Sequence, residues 1–432
     1  MNFTVSDSFK KYFFNTSWMF FEKGVRFFSI FLVGIYIARY LGPEHFGTLS
    51  YALAIVSIFM ALSKLGMESI LVRELTSHAN QMAEYTSTAF NLMLIGGITA
   101  FLIIAAIIIP IESTPIVKTC ILIISSGLFL QAFLVFDYAF QAQTQAKLSS
   151  LAKSLGLFIS ASIKIALVLL EADLVWFAAS FMFEHLFIAS ALFLIFKKKH
   201  YFHFRLKIDR QKARQLLHSA WPMVLSGIAG MILMKIDQVM IKAFLDSSQL
   251  GLYAAAIKIY EGWISFPFIF SIAMLPVIVK MKDNDNHSFE KYLTIMFSIA
   301  LWSSVIFSLL ITALSTSVIQ LTFGREFMDA STTLSILIWA SIPSSLGFMS
   351  ARYLIANNLE KKIAKRNLIA ITLNIPLNLI LIPTYGIHGA AIATLASLIC
   401  VHYFIDIFDN ELSHLFKIKN KAIYLNFRNH EH

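Results

Sequence analysis

Residues Met223–Ile241 read MVLSGIAGMILMKIDQVMI, an apolar run of bilayer length that nevertheless holds Lys235 and Asp237. A helix of about 20 apolar residues crosses the hydrocarbon core, and a Lys or Asp at its centre costs about 2.5–3.5 kcal/mol on insertion. Charged side chains at this depth usually face a bundle interior or a water-filled cavity. The run therefore predicts a membrane transporter with a polar lumen.

Two other apolar runs carry charges in the same way. They are Tyr12–Ala38, which holds Glu22, Lys23 and Arg26, and Leu252–Val279, which holds Lys258 and Glu261. Of all 432 residues, 58% are hydrophobic and 14% are charged, and the mean hydropathy is +0.72. Soluble domains are about half apolar and about a quarter charged. The chain is therefore predicted to be an integral membrane protein.

Twelve segments have the length of a bilayer crossing. They are residues 12–38, 46–66, 86–110, 116–140, 148–170, 174–196, 216–242, 250–279, 290–319, 329–355, 363–383 and 387–408. The first is expected to be retained rather than cleaved, because charges interrupt it and no small-residue cleavage site follows. Backbone groups in hydrocarbon must be satisfied internally, and these runs are too long for barrel strands. The predicted fold is all-α.

The distribution of Lys and Arg predicts the orientation. One set of connections, which includes both terminal segments, holds 25 of these residues, whereas the opposite set holds only Arg39, Lys118, Lys242 and Arg325. Cytoplasmic loops are enriched in positive charge. Both termini are therefore expected in the cytoplasm, which requires an even number of spans. The net charge of +10 follows from these loops and needs no nucleic acid partner.

A basic segment divides the chain into similar halves. The predicted organisation is an N-terminal lobe at 1–200 with spans one to six, a basic cytoplasmic linker at 201–214, a C-terminal lobe at 215–409 with spans seven to twelve, and a cytoplasmic tail at 410–432. At an offset of 204 positions, Ile37–Gly47 aligns with Ile241–Gly251, and Gly47 matches Gly251. Two six-helix lobes in the same orientation predict alternating access around a central cavity.

The charges of the first span lie on one helical face. Glu22 and Arg26 are four residues apart, and Lys23 and Arg26 are three apart. One interpretation is an internal salt bridge that stabilises the bundle. The other, which we favour, is a lumen wall that attracts anions, because three such charges leave a surplus cation.

The other intramembrane charges also allow two interpretations each. Lys235 and Asp237 are two residues apart and cannot share a face well, so one is expected to pair with another helix. Lys258 and Glu261 are three apart, a spacing that permits an internal pair. Lys164 has no acidic neighbour within a turn; it either lines the lumen or snorkels toward the next loop.

Two adjacent titratable residues, Glu184 and His185, lie midway along the sixth span. They form either a proton-handling pair or a hydrogen-bonded core pair.

Several kinds of chemistry have no signature here. The sequence contains neither a G-x-x-x-x-G-K-[ST] phosphate loop nor an H-E-x-x-H zinc motif. Cys120 and Cys400 both lie in apolar segments and predict packing residues rather than a metal or disulfide site. We therefore expect no cofactor, no metal and no catalytic residue, and we expect the protein not to be an enzyme.

Five segments in order resemble bacterial polysaccharide flippases of the O-antigen (Wzx) type. They are NTSW at 15–18 with Glu22 and Lys23, ARYLGPEHFG at 38–47, KIDQVM at 235–240, GLYAAAIK at 251–258 and NIPLNLILIPTYGIHGAAIAT at 374–394. The resemblance implies the multidrug/oligosaccharidyl-lipid/polysaccharide exporter superfamily and its MATE-like fold. It also implies an undecaprenyl-diphosphate-linked oligosaccharide, moved from the cytoplasmic to the periplasmic leaflet of the bacterial inner membrane.

This resemblance suggests roles for the charged residues. Lys23, Arg26, Lys235 and Lys258 become candidates for contact with the anionic diphosphate, and Lys164 joins them because of its intramembrane position. Asp237 and Glu261 are candidate countercharges. Coupling to H⁺ or Na⁺ would involve Glu22, Asp237, Glu261, Glu184 and His185. Expected partners are this substrate, membrane lipids and other membrane proteins of polysaccharide assembly.

Two rival functions remain open at this point. A multidrug exporter of the same superfamily would need an acidic pocket for organic cations. An intramembrane glycan polymerase or ligase would form glycosidic bonds.

Overall fold

The computed structural model describes residues 7–199, 207–282, 286–357 and 359–424, and this part of the chain consists of helices and short connections without a β-strand. The α-helices are α1 Asp7–Lys64, α2 Met67–Ser77, α3 Met82–Ile111, α4 Pro115–Ser126, α5 Leu134–Ala142, α6 Ala146–Leu169, α7 Leu174–Lys199, α8 Arg210–Phe244, α9 Ser247–Lys282, α10 Asn286–Thr322, α11 Ala330–Leu337, α12 Ser341–Ala356, α13 Glu360–His402 and α14 Ser413–Ile423.

Each predicted span falls on one or more of these helices. In the described residues, nine helices are long and apolar enough to cross a membrane; two of them each contain two predicted spans, and α9 is not among the nine. An all-helical membrane fold is therefore confirmed, while the number of twelve spans stays a prediction.

Two glycines break the helices that contain paired spans. Gly42 in α1 has φ 68° and Gly386 in α13 has φ 59°. Only glycine adopts this backbone region without strain, since a Cβ atom would clash with the backbone. Each glycine therefore ends one helical segment and starts the next.

The described residues form two compact units. The first contains residues up to Leu41 and Tyr51–Met231, and the second contains Gly42–Ser50 and the residues from Ile232 onward. The first unit has an aromatic core in which the rings of Phe136 and Phe196 lie 4.5 Å apart. Such large buried rings fix the packing of α3, α5 and α7.

The second unit includes a helix that sequence patterning predicted only as part of a tail. The apolar face of α14 is fully buried against α10 through Leu415, Ile418 and Ala422. Lys419 is also fully buried, with its Nζ 2.6 Å from an Asp406 carboxylate oxygen. Burial lowers the pKa of Lys419 to about 8, although Asp406 opposes the shift. The ammonium is mainly charged at neutral pH and holds α14 in place.

Within the second unit, the backbone of residues 42–50 crosses the start of α9 at the two glycines that the 204-residue offset aligned. A Cβ atom on Gly47 would lie 1.7 Å from the Ser247 carbonyl oxygen, and one on Gly251 would lie 1.8 Å from the Pro43 carbonyl oxygen. The Thr48 hydroxyl donates to Ser247 Oγ at 3.2 Å beside this crossing. The internal repeat therefore reflects a backbone contact that only glycine permits.

The crossing predicts a marked loss of stability on substitution. Gly47→Ala and Gly251→Ala should each destabilise the protein by about 1–3 kcal/mol, because the added methyl overlaps backbone atoms that cannot move aside. The melting temperature of detergent-purified protein measures the effect. Gly230→Ala is the matched control, since a Cβ there meets nothing within 4 Å. Equal melting temperatures for all three variants would contradict the proposed contact.

Candidate functional site

The first unit contains a cavity with a connected set of charged side chains. Its volume is about 350 Å³, and its lining includes Glu22 and Arg26 of α1, Asp137 of α5 and Lys153 of α6. Lys153 Nζ lies 3.1 Å from both Glu22 Oε2 and Asp137 Oδ2. Arg26 Nε lies 3.1 Å from Glu22 Oε1. Two cations and two carboxylates therefore balance one another inside the helical bundle.

Arg26 is paired, as the internal salt-bridge interpretation predicted, but 38% of its side chain stays exposed, against 6% for Glu22. Part of the guanidinium therefore remains accessible to another anion. Asp137 Oδ1 is buried and has no hydrogen-bond partner in the described part of the chain. The side chain of Lys23, the remaining predicted cation of this span, lies outside the described residues.

Lys164 pairs with a residue on the neighbouring helix. Its Nζ lies 2.8 Å from Glu184 Oε2, which also accepts a hydrogen bond from Ser160 at 2.8 Å. The same ammonium stands 3.9 Å from the centre of the Phe181 ring. Lys164 is only 6% exposed, so the snorkelling interpretation is wrong. Its burial favours a role in packing α6 against α7.

The side chains of Glu184 and His185 contact different residues. Glu184 binds Lys164 and Ser160, whereas His185 lines the charged cavity, with its Nδ1 3.4 Å from Gln131 Nε2. Adjacent residues on a helix face directions about 100° apart, because a turn has 3.6 residues. The expected proton-handling pair is therefore divided between two sites.

In the second unit, Lys235 of α8 pairs with Glu261 of α9. The distance between Lys235 Nζ and Glu261 Oε1 is 2.9 Å, and the side chains are 20% and 38% exposed. Lys235 thus has a partner on another helix, and Glu261 is the carboxylate of that ion pair. The Lys258 ammonium lies 5.8 Å from the centre of the Phe46 ring.

Asp237 lies two residues further along α8 and has a different environment. It is 4% exposed, and its carboxylate accepts hydrogen bonds from Tyr253 at 3.0 Å, Asn378 at 2.6 Å and the Thr394 hydroxyl. In the described part of the chain no Lys or Arg forms an ion pair with it. Its negative charge is therefore balanced by dipoles alone.

Asp237 and the polar side chains around it form what we call the Asp237 group, and α13 contributes several of its oxygen atoms. Asn378 Nδ2 also donates to Asn374 Oδ1 at 2.9 Å, which leaves Asn378 Oδ1 buried and without a partner in the described residues. Carboxylate, amide and hydroxyl oxygens are the ligands that hard cations prefer. Asn374, Asn378 and Thr394 are uncharged and are not among the predicted site residues, although all three lie in one of the quoted motifs.

Arg352 of α12 is a cation whose contacts differ from those of the paired residues. Its Nε donates to Ser271 Oγ at 3.2 Å, and its guanidinium lies 5.9 Å from the centre of the Phe268 ring. Across the described ranges, no carboxylate forms an ion pair with it. These contacts make Arg352 a further candidate for binding an anion.

Two family models match the chain. That of the polysaccharide biosynthesis protein family matches residues 13–282, and that of the lipid II flippase MurJ matches residues 157–426.

Two relatives illustrate the similarity. The probable low-salt glycan biosynthesis flippase Agl15 of Haloferax volcanii is 30% identical over 190 residues, which cover 43% of this chain and 40% of Agl15. The match thus spans less than half of Agl15. The capsular polysaccharide biosynthesis protein CapF of Staphylococcus aureus is 23% identical over 409 residues, which cover 90% of this chain and 98% of CapF.

Two solved structures have the same fold. The lipid II flippase MurJ in its inward closed conformation aligns with a TM-score of 0.71 and 16% identity, covering 94% of this chain and 91% of MurJ. An inward-facing multidrug resistance MATE family transporter aligns with a TM-score of 0.69 and 13% identity, covering 93% and 96% of the two chains. The predicted MATE-like architecture is therefore confirmed.

The pair between Lys164 and Glu184 makes a prediction about stability. Lys164→Met and Glu184→Met should each destabilise the protein by about 3–5 kcal/mol, because each leaves an unpaired buried charge. The double variant should melt near the wild-type temperature, since two apolar side chains replace both charges. A double variant that is less stable than both single variants would show that the pair does not act as a unit.

Proposed function

The chain belongs to the polysaccharide biosynthesis protein family, and on this premise we propose that it is a flippase for a lipid-linked oligosaccharide. The family match, which includes the charged segments of both units, is the observation that carries the proposal. In its finer form, the substrate is an undecaprenyl-diphosphate-linked repeat unit of an O-antigen or similar polymer. The protein moves it from the cytoplasmic to the periplasmic leaflet of a bacterial inner membrane by alternating access, with both termini in the cytoplasm.

The chemistry of the substrate explains the need for cations at membrane depth. A diphosphate carries at least one negative charge per phosphate and cannot cross hydrocarbon without compensation. Lys and Arg provide that compensation, and Arg can bind two phosphate oxygens at once. Arg26 and Lys235 are partly exposed members of ion pairs, and Arg352 has only neutral partners. These three are the leading candidates for contact with the headgroup.

For Lys235, binding takes the form of an exchange of anions. Its ammonium is held by Glu261 when no substrate is bound, and both side chains are accessible enough for a phosphate to approach. A diphosphate oxygen replaces the Glu261 carboxylate and releases it into the aqueous lumen. The resting pair thus avoids an isolated intramembrane charge, and the cation becomes available when the substrate arrives.

This exchange predicts opposite effects for the two partners. Lys235→Gln should weaken binding of a polyprenyl-diphosphate oligosaccharide by about tenfold or more, the worth of one charged hydrogen bond. Glu261→Gln should strengthen binding, because the competing carboxylate is gone. Binding to detergent-purified protein gives the affinity, and transfer of labelled substrate across proteoliposomes gives the transport rate.

Lys235→Arg retains the charge and should bind nearly as well as the wild type. Lys417→Gln removes an exposed charge from α14 and serves as the matched control. Weaker binding by Glu261→Gln would contradict the exchange. Preferential transport of organic cations, or formation of glycosidic bonds by the purified protein, would contradict the flippase itself.

Ion coupling is a second part of the proposal, and the Asp237 group supports it. A buried carboxylate without an ionic partner is stabilised by a bound cation or by protonation. A proton would neutralise Asp237 but leave Asn378 Oδ1 unsatisfied, whereas sodium is a hard cation that binds amide as well as carboxylate oxygens. The oxygen ligands therefore favour Na⁺ over H⁺. Glu22 and Glu184 are less suitable, because Lys or Arg already balances each of them.

The coupling proposal predicts a sodium response that depends on Asp237. Sodium should raise the melting temperature of the wild type above its value in potassium at equal ionic strength, because the ion binds the folded state. Asp237→Asn should remove this difference and make transport insensitive to collapse of the sodium gradient. Glu44→Gln, at an exposed position, should behave like the wild type.

A pH series in the absence of sodium examines the proton alternative. A melting temperature that responds to pH but not to sodium, and only when Asp237 is present, would replace Na⁺ by H⁺ as the coupling ion. A sodium response that survives in Asp237→Asn would exclude this site.

A further inference from the structure

The second unit contains a cavity that the proposed transport function does not use. It has a volume of about 580 Å³ and lies between the start of α13 and the segment that joins α13 to α14. Its cationic side comes from Lys362, Lys365 and Arg366, and its apolar side includes Ile369, Ile405 and Phe408. Ligand pockets commonly have volumes of about 300–1,000 Å³. The cavity is therefore large enough for a small polar group and part of an attached chain.

The three cations occur where helix electrostatics would disfavour them. They lie in the first two turns of α13, which begins at Glu360, and positive charge is unfavourable near a helix N-terminus. Lys365 and Arg366 follow Lys362 by three and four residues, and Ile369 follows Arg366 by three, so these side chains share one face. Anions are thus needed beside this face.

Two of the cations already have carboxylate partners. Lys362 Nζ lies 2.6 Å from Asp409 Oδ2 and 2.7 Å from Glu411 Oε2. The Arg366 Nη2 group donates to Asp406, which also binds Lys419. The carboxylates of Asp409 and Glu411 line the cavity but are engaged by Lys362. Asp406, Asp409 and Glu411 together leave one positive charge unbalanced among Lys362, Lys365, Arg366 and Lys419.

Two donors remain for a ligand. Arg366 is only 4% exposed, and its Nε is buried without a hydrogen-bond partner in the part of the chain that the structure describes. A buried N–H group without a hydrogen-bond partner is destabilising, and more so when it is charged. Lys365 is exposed and lines the same cavity, and no carboxylate in the described ranges forms an ion pair with it. Both donors suit a phosphate oxygen.

The apolar side of the cavity indicates what the phosphate is attached to. The Phe408 side chain is 86% exposed, so an acyl chain can lie against its ring. Phe408 ends the last predicted span and Lys362 lies just before the eleventh, so the cavity lies at the predicted cytoplasmic surface of the bilayer. Basic pockets between helices at this level bind anionic lipid headgroups.

We propose that this cavity binds an anionic glycerophospholipid, whose phosphate contacts Arg366 Nε and Lys365 while an acyl chain lies along Ile369 and Phe408. The bound lipid satisfies the orphan guanidinium N–H and covers the exposed ring. Because Arg366 also holds Asp406, and Asp406 holds the buried Lys419 of α14, the lipid stabilises the docking of α14. The site is separate from Lys235 and Asp237 and does not depend on what the protein transports.

Native mass spectrometry of the full-length protein with dioleoyl phosphatidylglycerol and dioleoyl phosphatidylcholine tests the site. The wild type should retain phosphatidylglycerol in preference. Lys365→Gln should weaken retention about threefold and Lys365→Glu about tenfold, as expected for one partly exposed charge and for its reversal. Lys361→Gln removes a charge from an exposed position in the same turn that does not line the cavity, and it should bind like the wild type.

Arg366→Lys keeps the charge but removes Nε, and it should also weaken retention provided that its melting temperature shows a folded protein. Lys365 is exposed, so its variants test the site even if Arg366→Lys fails to fold. Equal retention of the two lipids, or equal losses in the Lys361 and Lys365 variants, would overturn the proposal. Stabilisation by inorganic phosphate equal to that by phosphatidylglycerol would also overturn it, because the ligand would then be a free phosphate compound.

Discussion

The structure depends on the cost of placing a charge inside a membrane bundle. A lone Lys, Arg, Asp or Glu is expensive at that depth, and each described member of the predicted site except Asp237 and His185 has an opposite charge or an aromatic ring beside it. Lys153 joins Glu22 to Asp137, Lys164 binds Glu184, and Lys235 binds Glu261. These pairs connect different helices, so the charges that define the candidate site also determine how those helices pack.

The degree of exposure distinguishes pairs with the same chemistry. Lys164 and Glu184 are buried between α6 and α7. A substrate anion could replace Glu184 beside Lys164 only if these helices separated. Lys235 and Glu261 are accessible, so a competing anion can reach the lysine. Sequence alone does not separate these cases, because both lysines lie inside apolar runs.

Much of the fold could be predicted from sequence, because membrane helices follow from local length and apolarity. The breaks at Gly42 and Gly386 fall in the predicted connections at 39–45 and 384–386, but the positive φ of each glycine was not predicted, since it depends on where the next segment must pack. Individual charged residues were also identifiable, as each lies in an apolar run. Their partners were harder to find: Asp237 meets Asn378 and Thr394, which are 141 and 157 positions away. Neutral oxygens carry no signal in a pattern of charge and hydropathy.

The contrast between Lys235 and Asp237 shows how one helix can serve two kinds of ligand. The residues are two positions apart and so point about 200° apart around α8. One side presents an accessible cation whose carboxylate partner an anion can replace. The other presents a buried carboxylate among neutral hydrogen-bonding groups, which is the proposed cation site. A movement of α8 that alters one site must displace the other, because both are attached to the same rigid turn. The proposed coupling of ion and substrate therefore requires no long pathway of residues, because one rigid helical turn connects the two proposed sites.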